Sequence, residues 1–249
     1  MRNIWVVFKR EVCAYFATPL AYVFIFIFLF LSMSLCFIWG RFLEGEDASL
    51  DYAFFQFHPW LFMILGPAIG MRLWSEEHRQ GTIELLLTMP IATWQAITGK
   101  FLAACVVVLA SLALTFPIVI TVNMLGEPDM GKILSGYLGS FFTGCATIAI
   151  TCCVSAFTRN QVTCLVVSVA VCFFLTLLGS PPLLEFLKNV SMPGFFRPFL
   201  IDLADGISLL THSNKLSNGV LRLDTLIYFI SIMVFSLFAT SVIIRAKRA

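Results

Sequence analysis

The densest set of ionisable side chains in the sequence runs Trp74-Ser75-Glu76-Glu77-His78-Arg79-Gln80-Gly81-Thr82-Ile83-Glu84. Glu76 and Glu77 come early, where the positive end of a helix favours negative charge. Leu85, Leu86 and Leu87 follow, and Pro90 stops the run. The pattern suits a short surface helix. A solvated connector between two neighbouring elements fits equally well. Elsewhere the chemistry is sparse. Lipid-directed catalysis would need clustered polar groups near an interface, and the three histidines, His58, His78 and His212, have no evident partners in sequence. Cys36, Cys105, Cys145, Cys152, Cys153, Cys164 and Cys172 all fall in apolar runs, and Cys13 lies in an N-terminal amphipathic stretch. There is no C-x-x-C, so the cysteines read as small polarizable packing residues rather than a disulfide or metal framework. No phosphate-binding loop, H-E-x-x-H or G-x-S-x-G occurs; Gly99-Lys100 and Gly131-Lys132 lack the upstream glycine and the following hydroxyl residue. The expectation is a chain without catalytic, cofactor or metal residues, whose energy comes from a partner.

The composition says what must position these residues. Of 249 residues, 59% are hydrophobic and 12% charged, far from the half and quarter of an ordinary soluble domain. The net charge of +2 gives no footprint for nucleic acid. A helix needs about 20 apolar residues to cross the hydrocarbon core. Six runs qualify or nearly so: 20–39, 54–73, 101–125, 133–157, 162–178 and 225–244. The fold class expected is therefore an all-α integral membrane protein with six transmembrane helices. No secretory signal pattern precedes the first run. With these boundaries the one Asp, Glu, Lys or Arg inside a span is Arg72, at the very end of the second run. Ion-coupled carriers place ionisable groups there, because burying them is costly and needs a functional return.

Six crossings put both termini on one side. If that side is the cytoplasm, it holds Arg2, Lys9, Arg10, Arg72, Arg79, Lys100, Arg159, Arg245, Lys247 and Arg248 out of 16 basic residues, the bias expected for inside segments. Within residues 2–17, Trp5, Phe8, Val12 and Tyr15 recur at helical spacing among basic residues. This suggests an amphipathic helix in the membrane interface, closed by Thr18-Pro19; an extension of the first span is the alternative. Segment 179–224 carries Pro181, Pro182, Pro193 and Pro198 among apolar residues and reads as short helices at the outer face. Asp224 is expected to cap the last span. Gly136, Ser140 and Gly144 on the fourth run, and Gly66 and Gly70 on the second, offer small faces for close helix approach, either within the chain or across a dimer. Pro67 and Pro117 are placed to kink their helices.

These residues resemble a known family. Lys9-Arg10-Glu11, Tyr15-Phe16 and Thr18-Pro19-Leu20-Ala21-Tyr22-Val23 look like the N-terminal signature of the ABC-2-type permeases of ATP-binding cassette transporters. Glu76-Glu77 through Gly81-Thr82-Ile83-Glu84-Leu85-Leu86-Leu87-Thr88-Met89-Pro90-Ile91 resembles the family's most recognisable stretch. Gly99-Lys100 and Gly219-Val220-Leu221-Arg222-Leu223-Asp224 also fit. The permeases linked to gliding motility and to nitrous-oxide-reductase maturation are the most similar branch. The resemblance implies one membrane domain over 1–249 in the inner (cytoplasmic) membrane. It implies pairing with a second permease chain, identical or different, and with two cytoplasmic ABC ATPase subunits that bind ATP and Mg. It implies a coupling region at 74–98, with Glu76, Glu77, His78, Arg79, Thr82, Ile83 and Glu84 facing the ATPase, and transport that is mostly export. A scaffold that passes ATPase motion to an extracytoplasmic protein partner, without moving a solute, fits the same residues.

Overall fold

A computed structural model describes residues 2–40, 50–82, 92–126, 128–183, 185, 196–220 and 222–246. Among these the chain is helical and contains no strand. α1 spans Arg2–Ala17 and ends where Thr18 turns extended ahead of Pro19. Pro19 then opens α2, Pro19–Ser34, at a position where its missing N–H costs nothing. α2 buries Ala21, Phe24, Phe28 and Ser32 along one stripe, while Tyr22, Phe26 and Phe30 face outward. The helix widens into a π-turn at Leu35–Trp39, closed by Gly40 N–H donating to the Leu35 carbonyl at 2.8 Å. This brings Gly40 against the Ala53 backbone, where a Cβ would lie 2.6 Å from the Ala53 oxygen.

The second apolar run is not one uniform helix. A short helix α3, Leu50–Ala53, and a 3-10 turn, Phe55–Phe57, lead into α4, His58–Gly70. α4 passes into α5, Arg72–Gln80, through Met71, which keeps helical dihedrals of φ −57° and ψ −28°. α5 therefore extends the α4 helix instead of forming a separate surface element. Gly81 stops it in the left-handed region at φ +71°, a conformation that glycine adopts without a Cβ penalty.

α6, Thr93–Leu114, begins eight residues before the run expected at 101, and the buried Lys100 lies inside it. The helix breaks at Thr115-Phe116 ahead of Pro117, and α7, Pro117–Leu125, follows. Thr115 Oγ1 donates to the Leu112 carbonyl at 2.7 Å and lies 3.0 Å from Tyr137 Oη, which satisfies the polar groups at the break.

α8, Met130–Phe157, starts on Asp129, whose carboxylate accepts from Gly131 N–H at 2.9 Å. Its 28 residues give a rod of about 42 Å. It is the central helix, packing against α4 and α6 and against three later elements. Asn160 caps α9, Gln161–Leu177. α10, Phe196–Ile207, and α11, Leu209–Ser217, precede α12, Leu223–Ala246. α11 and α12 both pack on α8. Asp224 is not the cap of α12: the helix already begins at Leu223, so Asp224 stands in its first turn and pairs with Arg222 at 3.3 Å. A carboxylate there still complements the helix dipole.

Among the described residues, five helical stretches are long and apolar enough to cross a membrane: Pro19–Trp39, Leu50–Gln80, Thr93–Leu125, Met130–Phe157 and Leu223–Ala246. α9 is apolar but has 17 residues, about 25 Å at helical rise against a core of about 30 Å. The chain is an all-α, multi-pass integral membrane protein.

Candidate functional site

Three elements converge on Lys100. α1 lies alongside the start of α6 and in the same direction. Asn3 Nδ2 donates to Gln95 Oε1 at 3.4 Å, Val7 packs on Gly99, and Glu11 Oε1 lies 3.3 Å from Lys100 Nζ. Gly99 eases this approach, since a Cβ there would make a tight contact of 3.0 Å with the Val7 side chain. From the other side α5 brings Glu77 Oε1 to 2.8 Å from the same ammonium. Lys100 is 4% exposed, and its Nζ stands 5.5 Å from the ring centroid of Trp74, itself wholly buried. The ammonium thus has two carboxylates and an aromatic face around it.

The carboxylates are held in turn. Arg10 Nη2 donates to Glu11 Oε1 at 2.6 Å. Burial works against the Glu11 carboxylate, yet Lys100 and Arg10 outweigh it and hold its pKa below the ordinary value. Glu76 faces a different partner: Arg72 Nε donates to its Oε2 at 2.8 Å, one helical turn away, and Gln80 Nε2 reaches its Oε1 at 3.3 Å. Tyr15 is buried between α1 and α4, its hydroxyl donating to the Ile69 carbonyl at 3.5 Å. These groups line a cleft of about 390 Å³ between α1, α5 and α6. Its walls carry both signs of charge, largely cancelled in pairs. Such an arrangement fastens helices together, because removing one member leaves an uncompensated buried charge.

The structure sorts the residues singled out in sequence. Glu77 points inward to Lys100, and Glu76 is engaged along its own helix. His78 is half-buried, whereas Arg79 and Thr82 are exposed at the tip of α5. Ile83 and Glu84 lie outside the described residues. Glu11 and Lys100, the two partners that complete the cluster, carry no local signal that would pair them with residue 77.

The small residues come together on another face. Gly66 and Gly70 of α4 lie against Thr147 and Thr151 of α8. A Cβ at Gly70 would fall 2.7 Å from Thr151 Cβ, and one at Gly136 only 2.5 Å from the Phe55 ring. Gly144 receives Val108 and Phe62. Ser140 Oγ lies 2.6 Å from Nδ1 of His58, which is wholly buried among Phe28, Phe54, Phe55 and Phe62. The histidine without an evident sequence partner therefore has one across the helix interface. At the α11–α12 contact, His212 stacks on Tyr228 with centroids 3.8 Å apart, and Tyr228 Oη donates to the Ile207 carbonyl.

With this geometry in place, comparison with known proteins gives a family. The model of the ABC-2 family transporter proteins matches residues 46–245, most of the chain, and the chain belongs to that family. A search of curated proteins finds no match. Membership makes the chain the membrane component of an ABC transporter, a permease subunit.

Proposed function

We propose that this permease couples ATP hydrolysis by a separate cytoplasmic ABC ATPase to export of a substrate across the inner membrane. In this reading both termini and segment 74–98 are cytoplasmic, two permease chains pair with two ATPase subunits, and ATP and Mg are bound by the ATPase. The permeases linked to gliding motility and nitrous-oxide-reductase maturation remain the branch it most resembles. The observation that carries the reading is the continuity of α4 with α5. A span that runs unbroken into a charged tip, with Arg79 and Thr82 exposed, is a lever that turns motion at the surface into motion in the bilayer. The test is purification of the chain from its native host, with identification of co-purifying subunits and measurement of their ATP turnover in liposomes. An ATPase that accompanies the parent chain and is lost on Arg79→Glu supports the reading. Its absence defeats it.

The scaffold alternative has support of its own. The outer segment is bonded to two spans, through His212–Tyr228 and through Leu216 against Gly139, so helix motion would reach a docked extracytoplasmic protein. ATP turnover that responds to such a protein and to no solute would favour this alternative.

A further inference from the structure

We propose that Lys100 is a positioning residue: a single buried cation, shared by Glu77 of α5 and Glu11 of α1, that makes α1 move with α5. The coupling part of this inference rests on the function proposed above; the fastening does not. Three observations converge. Lys100 Nζ lies 2.8 Å from Glu77 and 3.3 Å from Glu11, and both carboxylates are mostly buried. Its remaining side is closed by Trp74, on the same helix as Glu77. Glu11 and Glu77 are 66 residues apart in sequence, and the Lys100 ammonium bridges them.

The arrangement gives each residue a separable role. Glu77 holds α5, Glu11 holds α1, and Lys100 holds both. A packing role for Lys100 would not follow this division. Arg10 stays on Glu11 at 2.6 Å, so the outer carboxylate remains ionised and in place when α5 shifts. Displacement of α5 then draws on the ammonium, and through it on Glu11 and α1. An interfacial helix coupled in this way transmits motion along the membrane surface as well as across the bilayer.

The first test needs no partner. Hydrogen–deuterium exchange is measured on the purified chain in lipid nanodiscs, comparing segments 2–17 and 72–80. Lys100→Met should speed exchange in both by about tenfold, since exchange follows the local opening equilibrium. Glu11→Gln should speed 2–17 alone, and Glu77→Gln 72–80 alone. Lys100→Arg should restore protection of both segments. The charge-swapped pair Lys100→Glu with Glu77→Lys should restore 72–80 but not 2–17, since a carboxylate at residue 100 would repel Glu11, and it guards against a single variant that fails to fold. The second test uses the complex with its ATPase. ATP with vanadate should alter exchange in both segments of the parent and only in 72–80 of Lys100→Met. Protection of α1 and α5 that is unchanged in Lys100→Met, or an α1 response that survives it, overturns the inference. Failure of the parent to recruit an ATPase would instead defeat the proposed function, leaving the first test to decide on the clamp.

Discussion

His58 Nδ1 and Ser140 Oγ lie 2.6 Å apart across the α4–α8 interface, the pair enclosed by phenylalanine rings. A polar bond in such surroundings matters mostly by what its loss leaves behind. Ser140→Ala should destabilise the chain by about 1–2 kcal/mol, because an imidazole nitrogen is left without its partner. Adding His58→Leu should recover part of that loss, since neither polar group then remains. Thermal unfolding midpoints in detergent for the two single variants and the double variant check this; strict additivity would refute it.

The α4–α8 contact also predicts how glycines tolerate a methyl group. Gly70→Ala places its Cβ 2.7 Å from Thr151 Cβ, whereas nothing lies within 4 Å of a Cβ at Gly206. Overpacking costs about 1–3 kcal/mol. Gly70→Ala should therefore lower the unfolding midpoint, and Gly206→Ala should leave it unchanged or raise it.

The orientation proposed for the chain is tested by thiol labelling after the eight cysteines have been replaced. Ser75 and Ser213 are both buried and make poor reporters. Gln80 and Asn218 are exposed. A cysteine at residue 218 should react with an impermeant reagent applied from outside, and one at residue 80 only after the membrane is opened. The reverse pattern would invert the topology.

Docking and internal fastening separate at the tip of α5. Arg79→Glu should reduce the amount of co-purified ATPase while leaving thermal stability near the parent's, as its side chain is exposed. Glu77→Arg should lower both, because it sets a second cation against Lys100 and breaking a buried pair costs about 3–5 kcal/mol. Equal effects of the two variants on stability would contradict the assignment.

Acid should release α1. Because the folded pKa of Glu11 lies below its ordinary 4.5, its contribution is complete above that value. It disappears as pH falls through the lower folded value, when the carboxylate that binds Lys100 and Arg10 is protonated. Exchange in segment 2–17 should therefore rise in the parent as the pH is lowered below 4.5. Glu11→Gln should exchange fast throughout; a parent profile that is flat over this range would exclude the mechanism.

Much of the architecture is legible in the sequence, because long apolar runs admit few alternatives in a bilayer. Facing is not. In α2 almost every side chain is apolar, so nothing local distinguishes the buried Phe24 and Phe28 from the outward Phe26 and Phe30. Gly66 and Gly70 announce a close approach, but Thr147 and Thr151 become their partners only through packing. Glu77 stands out as a charge near a span, whereas Lys100 looks like a loop residue when the third span is taken to begin at 101. Thr93 starts the helix earlier, and α1 and α5 cover the lysine from two sides. Asp224 has the composition of a cap and sits two places too late to be one.

The widened turn at Leu35–Trp39 gives α2 a place where chain length can vary. It holds one residue more than α-helical winding needs, so a single deletion there would let the helix rewind without disturbing the buried stripe before it. The same deletion between Ala21 and Phe28 would carry later side chains about 100° around the axis and turn Phe28 away from His58, 5.5 Å from it as folded. Insertions and deletions in the first span of related permeases should accordingly gather at the Gly40 end.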